Sequence, residues 1–282
     1  MIFVRDKGQM CNNILQYAHV YAWAKEHHRP CMSMRFAYKY PYFAISTTPH
    51  HNFAYYLAGK FMARWGIIPT VSYSGDIQPH PEKEAQILAS RNVMVEGWSV
   101  RHYSLFLQHL ADIRSLFSFK LAISQNIQKY MESTAPADTV RIGVHIRRGD
   151  YQTWCDGKFY FTDEEYIATI RRALQGLGFP HYIIYICSNA QPDQDRYRQA
   201  LQPWQVHFPT GNPGEDLCLL SECDYLIGPL SSFTLVATMY GKARLHWMHS
   251  HKTTAPITFE PFEVRLPQLD SIWTETVEGG SK

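Results

Sequence analysis

From residue 140 to residue 248 the chain alternates short, nearly continuous apolar runs with helix-length segments, and few folds accept that order. "RIGVHI" (141–146), "YIIYICS" (182–188), "DYLIG" (224–228) and "RLHW" (244–247) are strand-like. Between them lie helical segments at 162–177, 192–201, 213–223 and 231–241, the first opened by Thr162 and Glu165 at capping-box spacing. A strand that is apolar at every position is buried on both faces, as in a parallel sheet covered by helices. The expected class is therefore α/β.

The first half repeats the theme less cleanly. "IFVR" (2–5), "CMSMRF" (31–36), "IIPTVSY" (67–73) and "VMVEGW" (93–98) read as strands, with helices at 14–28, 102–119 and 122–133. "TAPAD" (134–138) is small, polar and Pro-containing, as a linker is. The expectation is two doubly wound Rossmann-type domains, 1–135 and 136–282, with a cleft between them. At 282 residues the chain is long enough for both.

Composition narrows the function classes. Twenty-seven Lys and Arg against 25 Asp and Glu leave a net charge of +2, so no global field draws the chain to nucleic acid or to a membrane. Anion recognition has to be local. No apolar run approaches the ~20 residues of a membrane span. The six cysteines are scattered without a CxxC pair, which suits free thiols better than a disulfide framework. The expected location is the cytoplasm, with peripheral attachment at an inner membrane left open.

Three loops carry chemistry. In "VRIGVHIRRGDY" (140–151) a buried strand ends in His145, Arg147, Arg148 and Asp150. Open α/β sheets bind ligands beyond the carboxyl ends of their strands, and a guanidinium suits bidentate phosphate contact. The structural alternative is an Arg–Asp150 pair bracing the loop, with Arg148 as the nearer partner. Alternation puts the side chains of Arg147 and Arg148 on opposite sides, so one of them faces a ligand more easily. In "PLSSF" (229–233) Ser231 and Ser232 sit where a strand hands over to a helix, a place for an anion or for an ordinary N-cap. "DKGQMCNN" (6–13) joins the first strand to the first helix without GxGxxG or a Walker loop. Asp216 heads another helix, where capping is its common role. "DQD" (193–195) imitates a metal-binding DxD but falls in a first helical turn, and "HWMHSH" (246–251) lacks zinc-site spacing.

Together these loops resemble the motifs of bacterial α-1,2-fucosyltransferases, glycosyltransferase family eleven. Gly8, Asn12, Gln16, Tyr17 and Ala18 match its first loop, G-G-L-G-N-Q-M-F-Q-Y-A, with Gln9 and Cys11 in place of glycines. His145, Arg147, Arg148, Gly149, Asp150 and Tyr151 match HxRRGDY. Asp216, Leu217, Leu219, Ser221, Ser231, Ser232 and Phe233 match its third motif, whose tryptophan pair is replaced by Leu235 and Val236. In the family's F-S-D-D segment Ser188 is kept, while Asn189 and Ala190 depart.

The resemblance implies a GT-B fold, an acceptor-side first domain, a second domain holding GDP-fucose, an inverting mechanism, and no metal or other cofactor. The implied acceptor is a galactose-containing glycan. His145, Arg147, Arg148, Ser188, Asp216, Ser231, Ser232 and Phe233 would hold the donor, His145 and Asp216 at its guanine–ribose end. Arg147 would stabilise the departing diphosphate, Asn12 would face the reacting centre, and Asp150 is the candidate base. Two alternatives stand beside it: a non-catalytic nucleotide- or carbohydrate-binding protein of this fold, and a transferase using another nucleotide sugar.

Overall fold

The computed structural model describes the chain except residues 75, 76, 78, 137, 253–255 and 279–282, together with the side chains of 272–278. It divides into two units, Met1–Lys120 and Leu121–Lys282. Both are α/β with wholly parallel sheets, as the alternation requires.

In the first unit, strands β1 (Ile2–Arg5), β2 (Cys31–Ser33), β3 (Thr70–Ser72) and β4 (Val93–Glu96) form a sheet of order β2-β1-β4-β3. The helices are α1 (Met10–Glu26), α2 (Phe53–Arg64), α3 (Pro81–Ala89), α4 (Tyr103–Gln108) and α5 (Leu110–Leu116). One core cluster gathers Phe3, Met32, Met34, Ile68 and Met94. The single helix expected over 102–119 is two helices meeting at His109, whose ring is held by Glu26 at the end of α1 at 2.5 Å. The expected strands 31–36 and 67–73 shorten to three residues each, and α3 was not anticipated.

The second unit opens with α6 (Leu121–Thr134), followed by β5 (Val140–Ile146), α7 (Asp163–Leu177), β6 (Tyr182–Ser188), α8 (Gln194–Ala200), β7 (Gln205–His207), α9 (Pro213–Ser221), β8 (Tyr225–Pro229), α10 (Ser232–Thr238), β9 (Arg244–Met248) and α11 (Phe262–Glu278). The two compact units divide at 120/121, so α6, which the sequence reading assigns to the first domain, groups with the second unit. Helix α6 packs on α9 within this unit and ends at Thr134, the first residue of "TAPAD", of which Ala137 lies outside the described residues.

The sheet order is β7-β6-β5-β8-β9. Its core stacks Ile142, Val144, Ile146, Ile184, Ile186 and Ile227 on Tyr166, Ile170 and Leu174 of α7. The capping box of α7 forms as its sequence foretells, with Thr162 accepting from the Glu165 N–H and the Glu165 carboxylate from the Thr162 N–H. Gly143 lets α9 approach β5, since a Cβ there would collide with Leu226 and Leu220. The chain runs from β5 outward to β7, then returns to lay β8 on the other side of β5. That reversal makes the carboxyl ends of β5 and β8 the switch point where α/β sheets bind ligands.

Candidate functional site

The switch point gathers the residues of "HIRRGDY" and "PLSSF". His145 and Ile146, the last residues of β5, stand in register with Cys187 and Ser188 of β6. On the other side the His145 ring stacks on Phe233 of α10, centroids 4.7 Å apart and planes 28° apart. Burial, reinforced by the neighbouring Arg147 charge, pulls the imidazole pKa down to about 3, so the ring is neutral at pH 7. Its Nδ1 is buried and meets no hydrogen-bond partner among the described residues. A buried polar atom left in this way has a cost of about 1–3 kcal/mol, which a ligand donor or acceptor would relieve.

The adjacent arginines are divided between two roles. Arg148 is bound on every side. Its backbone N–H donates to Asn189 Oδ1 at 2.7 Å, and Asn189 Nδ2 returns a bond to its carbonyl at 3.2 Å. Its guanidinium donates to the Phe161 carbonyl and the Asp163 carboxylate, and lies 4.9 Å and 5.4 Å from the ring centroids of Tyr160 and Tyr166. Arg147 leaves the strand on the opposite side, where Nη2 meets Asp150 Oδ1 at 2.7 Å and the guanidinium lies 5.5 Å from the Tyr151 ring centroid. The brace expected between Asp150 and Arg148 is thus an Arg147–Asp150 pair. The carboxylate that holds Arg148 is Asp163, from the first turn of α7.

Between them Gly149 turns the chain at φ +68°, which glycine adopts without penalty. The turn delivers the buried Tyr151, whose hydroxyl donates to the Leu230 carbonyl at 2.8 Å and ties this loop to the β8–α10 loop. Ser231 is the N-cap of α10, its Oγ accepting from the Phe233 N–H at 3.1 Å. The ordinary capping role is therefore filled by Ser231, with Ser232 as the first residue of the helix.

Asp216 is released from capping. Asn212 and Glu215 form the capping box of α9, leaving the Asp216 carboxyl within hydrogen-bond reach of the Cys187 thiol. Burial first, and then the Glu215 charge, raise its pKa to about 6. Ser188 Oγ accepts from the Ala190 N–H at 3.2 Å and shapes the turn after β6. His145, Arg147, Arg148, Ser188, Asp216, Ser231, Ser232 and Phe233 are therefore set around the carboxyl ends of three adjacent strands, β6, β5 and β8.

Asn12 belongs to the first unit, in the first turn of α1. The loop before it needs its glycine, because Gly8 has φ +87° and a Cβ there would sit 2.6 Å from Asn12 Nδ2. This loop also holds a residue that sequence reasoning passed over. Asp6 is 1% exposed, accepts from the Ser33 hydroxyl, and has an Oδ1 with no partner among the described residues. Burial lifts its pKa to about 8. Ser33 in turn donates its N–H to His51 Nε2 at 2.9 Å, and Thr48 Oγ1 lies 2.6 Å from His51 Nδ1. Asn189 and Asp163 were likewise missed, although both fix Arg148.

The two decoys have structural work. Asp193 caps α8 by accepting from the Arg196 N–H at 3.1 Å, and Asp195 pairs with Arg198 at 3.2 Å. His251 lies 2.6 Å from the Glu165 carboxylate, and His249 Nδ1 lies 3.0 Å from the Trp247 carbonyl. Among the described residues no three His, Cys, Asp or Glu side chains converge on a metal-sized site, and no helix is long and apolar enough to cross a membrane. All six cysteines are unpaired.

No family model and no curated protein matches the chain. Solved structures do. A mutant of Arabidopsis thaliana FUT1 in complex with GDP superposes with a TM-score of 0.62 at 14% identity, covering 90% of this chain and 72% of that one. NodZ α-1,6-fucosyltransferase soaked with GDP-fucose gives 0.59 at 13% identity, covering 92% and 98%. POFUT1 in complex with GDP gives 0.57 at 12% identity, covering 88% and 97%. This chain has the GT-B-like fold of those fucosyltransferases.

Proposed function

We propose that the chain is an inverting, metal-independent fucosyltransferase, carrying L-fucose from GDP-fucose to a hydroxyl of a galactose-containing glycan in α-1,2 linkage. One observation carries the reading: "HIRRGDY" lies at the switch point of a parallel sheet in a fold shared with fucosyltransferases solved with GDP or GDP-fucose. The second unit takes the donor and the first the acceptor. The α-1,2 linkage rests on the motif resemblance, because one neighbour of the same fold is an α-1,6-transferase.

The chemistry follows from where charge develops. An acceptor hydroxyl attacks the fucose anomeric carbon from the face opposite the diphosphate. The carbon–oxygen bond to phosphate breaks, its electron pair staying on the phosphate oxygen, and GDP departs. Arg147 stabilises that growing charge. A guanidinium has five N–H donors, and the contact to Asp150 uses one terminal nitrogen, so a phosphate and Asp150 can be held together. Asp150, 59% exposed in its side chain, then takes the acceptor proton. His145 and Asp216 hold the nucleoside end. Neutral His145 offers a ring nitrogen, and ionised Asp216 accepts from the guanine N–H groups. Ser188, Ser231, Ser232 and Phe233 line the donor, and Asn12 faces the reacting centre.

Thermal shift with nucleotides, followed by turnover of GDP-fucose on galactosides, tests the reading. GDP should stabilise the chain well above UDP and CMP, since a ligand bound only to the native state raises its melting point. Equal stabilisation by UDP would refute the guanine assignment, and absence of fucose transfer would refute the enzyme. Asp150→Asn should abolish transfer at unchanged GDP affinity; substantial residual transfer removes Asp150 as the base.

A further inference from the structure

Helix α2 has an apolar face on the wrong side. Its inner face places Tyr56, Met62 and Ala63 on the core around Phe3, and Gly59 fits against the Phe3 ring. The opposite face of a surface helix is normally polar. Here it carries Phe53, Leu57 and Phe61 at i, i+4 spacing, continued by Trp65 and Ile67 just past the helix end. Their exposures are 56%, 48%, 56%, 67% and 61%. Large apolar side chains gathered in one exposed place mark a contact surface.

Charge selects the occupant. Although acidic and basic residues nearly balance over the whole chain, residues 27–75 contain five Lys and Arg and no Asp or Glu. Lys60 and Arg64, both exposed, lie along the border of the apolar face. A second copy of this chain is disfavoured, because a two-fold contact through α2 would bring the same basic border against itself. The combination of aromatic and aliphatic side chains with basic residues whose stems lie along apolar surface suits an anionic bilayer. At 12 residues the helix is about 18 Å long, fit to lie in the interface and too short to span it.

We propose that α2 is a membrane-contact surface, lying in the plane of an anionic phospholipid bilayer. Phe53, Leu57, Phe61 and Trp65 enter the headgroup–acyl boundary, while Lys60 and Arg64 meet lipid phosphates. The proposal goes beyond the transferase reading and is independent of it, since vesicle binding needs no donor sugar.

The test is sedimentation of the full chain with phosphatidylcholine vesicles, with and without phosphatidylglycerol. The chain should pellet with the anionic vesicles, stay in solution with pure phosphatidylcholine, and be released by salt. Lys60→Ala with Arg64→Ala leaves the inner face of α2 intact and should weaken partition about 25-fold, about fivefold for each charge removed. Leu57→Ser with Phe61→Ser should weaken it by about tenfold or more for each side chain. Failure to bind anionic vesicles, or variants that bind as the parent does, overturns the proposal. A solution dimer that the Leu57→Ser, Phe61→Ser variant turns into monomers also overturns it, by assigning the face to a second copy.

Discussion

Replacing Arg148 by alanine and replacing Arg147 by alanine should damage different properties. Arg148→Ala removes two charge-assisted bonds, to the Phe161 carbonyl and to Asp163, and leaves that carboxylate with the Tyr197 hydroxyl at 2.9 Å. Hydrogen bonds to charged groups contribute about 1.5–3 kcal/mol each when buried, and cation–π contacts about 0.5–1. With side-chain exposures of 15% for Arg148 and 22% for Asp163, solvent screens part of this. A loss of about 3 kcal/mol is a fair working figure. For a unit spanning residues 121–282 that corresponds to a melting point lower by about 6–12 °C. Arg147 makes one ion pair, to a carboxylate that is mostly in water, so Arg147→Ala should move the melting point little. Its loss should appear in transfer, by about 10²–10³, the usual consequence of removing one group that stabilises developing charge. Arg147→Lys should rescue little, because an ammonium lacks the planar fork. Calorimetry and a GDP-release assay on both variants decide the matter. An Arg148→Ala protein that melts normally but is inactive, beside an active Arg147→Ala protein, would show the two roles exchanged.

Three further outcomes are expected. If Asp216 must be ionised to hold guanine, GDP affinity should fall about tenfold per pH unit below about 6, while Asp216→Asn should bind GDP weakly at every pH; a flat pH profile for the parent removes Asp216 from the site. Asp6 has a folded pKa, about 8, above its unfolded value, so the folded state binds the proton more tightly and Asp6 costs stability increasingly as pH rises from 4 to 8. Asp6→Asn should therefore raise the melting point most above pH 8 and hardly at pH 4; an advantage that is the same at both ends would contradict the burial argument. Transfer should survive EDTA and Asp195→Ala, whereas Asp193→Ala should cost about 1 kcal/mol of stability through loss of the α8 cap without loss of transfer; activity lost to EDTA and restored by Mn²⁺ would make "DQD" a metal site.

The second unit was legible wherever burial is two-sided. Strands β5, β6 and β8 lie inside the sheet with helices on both faces, so they appear in the sequence as unbroken apolar runs. Edge strand β7 has three residues and one buried side chain, too few to form a pattern. Helix α3 buries Ile87 alone, and α11 carries Pro267 within its length, so neither has a strong apolar period. That α6 groups with the second unit is hidden for a similar reason. A turn between a helix and a strand has the composition of a linker, and only the packing of α6 on α9 distinguishes them.

The charged cluster of the candidate site was legible in kind and less so in its internal contacts. A charged cluster at the end of a buried strand is visible in one stretch of sequence, and strand alternation separates the two arginines. What decides between them is non-local. Asp163 comes from the start of α7, and its carboxylate is also held by Tyr197 of α8. Asn189 reaches the Arg148 backbone from the turn after β6. The capping turn of α7 thus serves twice, starting the helix and anchoring the loop that leaves β5 at Arg148. Asp163 is the first residue of that helix, where the macrodipole also favours a negative charge. With Arg148 fixed by α7 on one side of the strand end, Arg147 must emerge on the other, toward Tyr151 and the β8–α10 loop. One arginine fixes the direction of the turn and the other carries its charge to the opposite side, so the two adjacent arginines are not interchangeable.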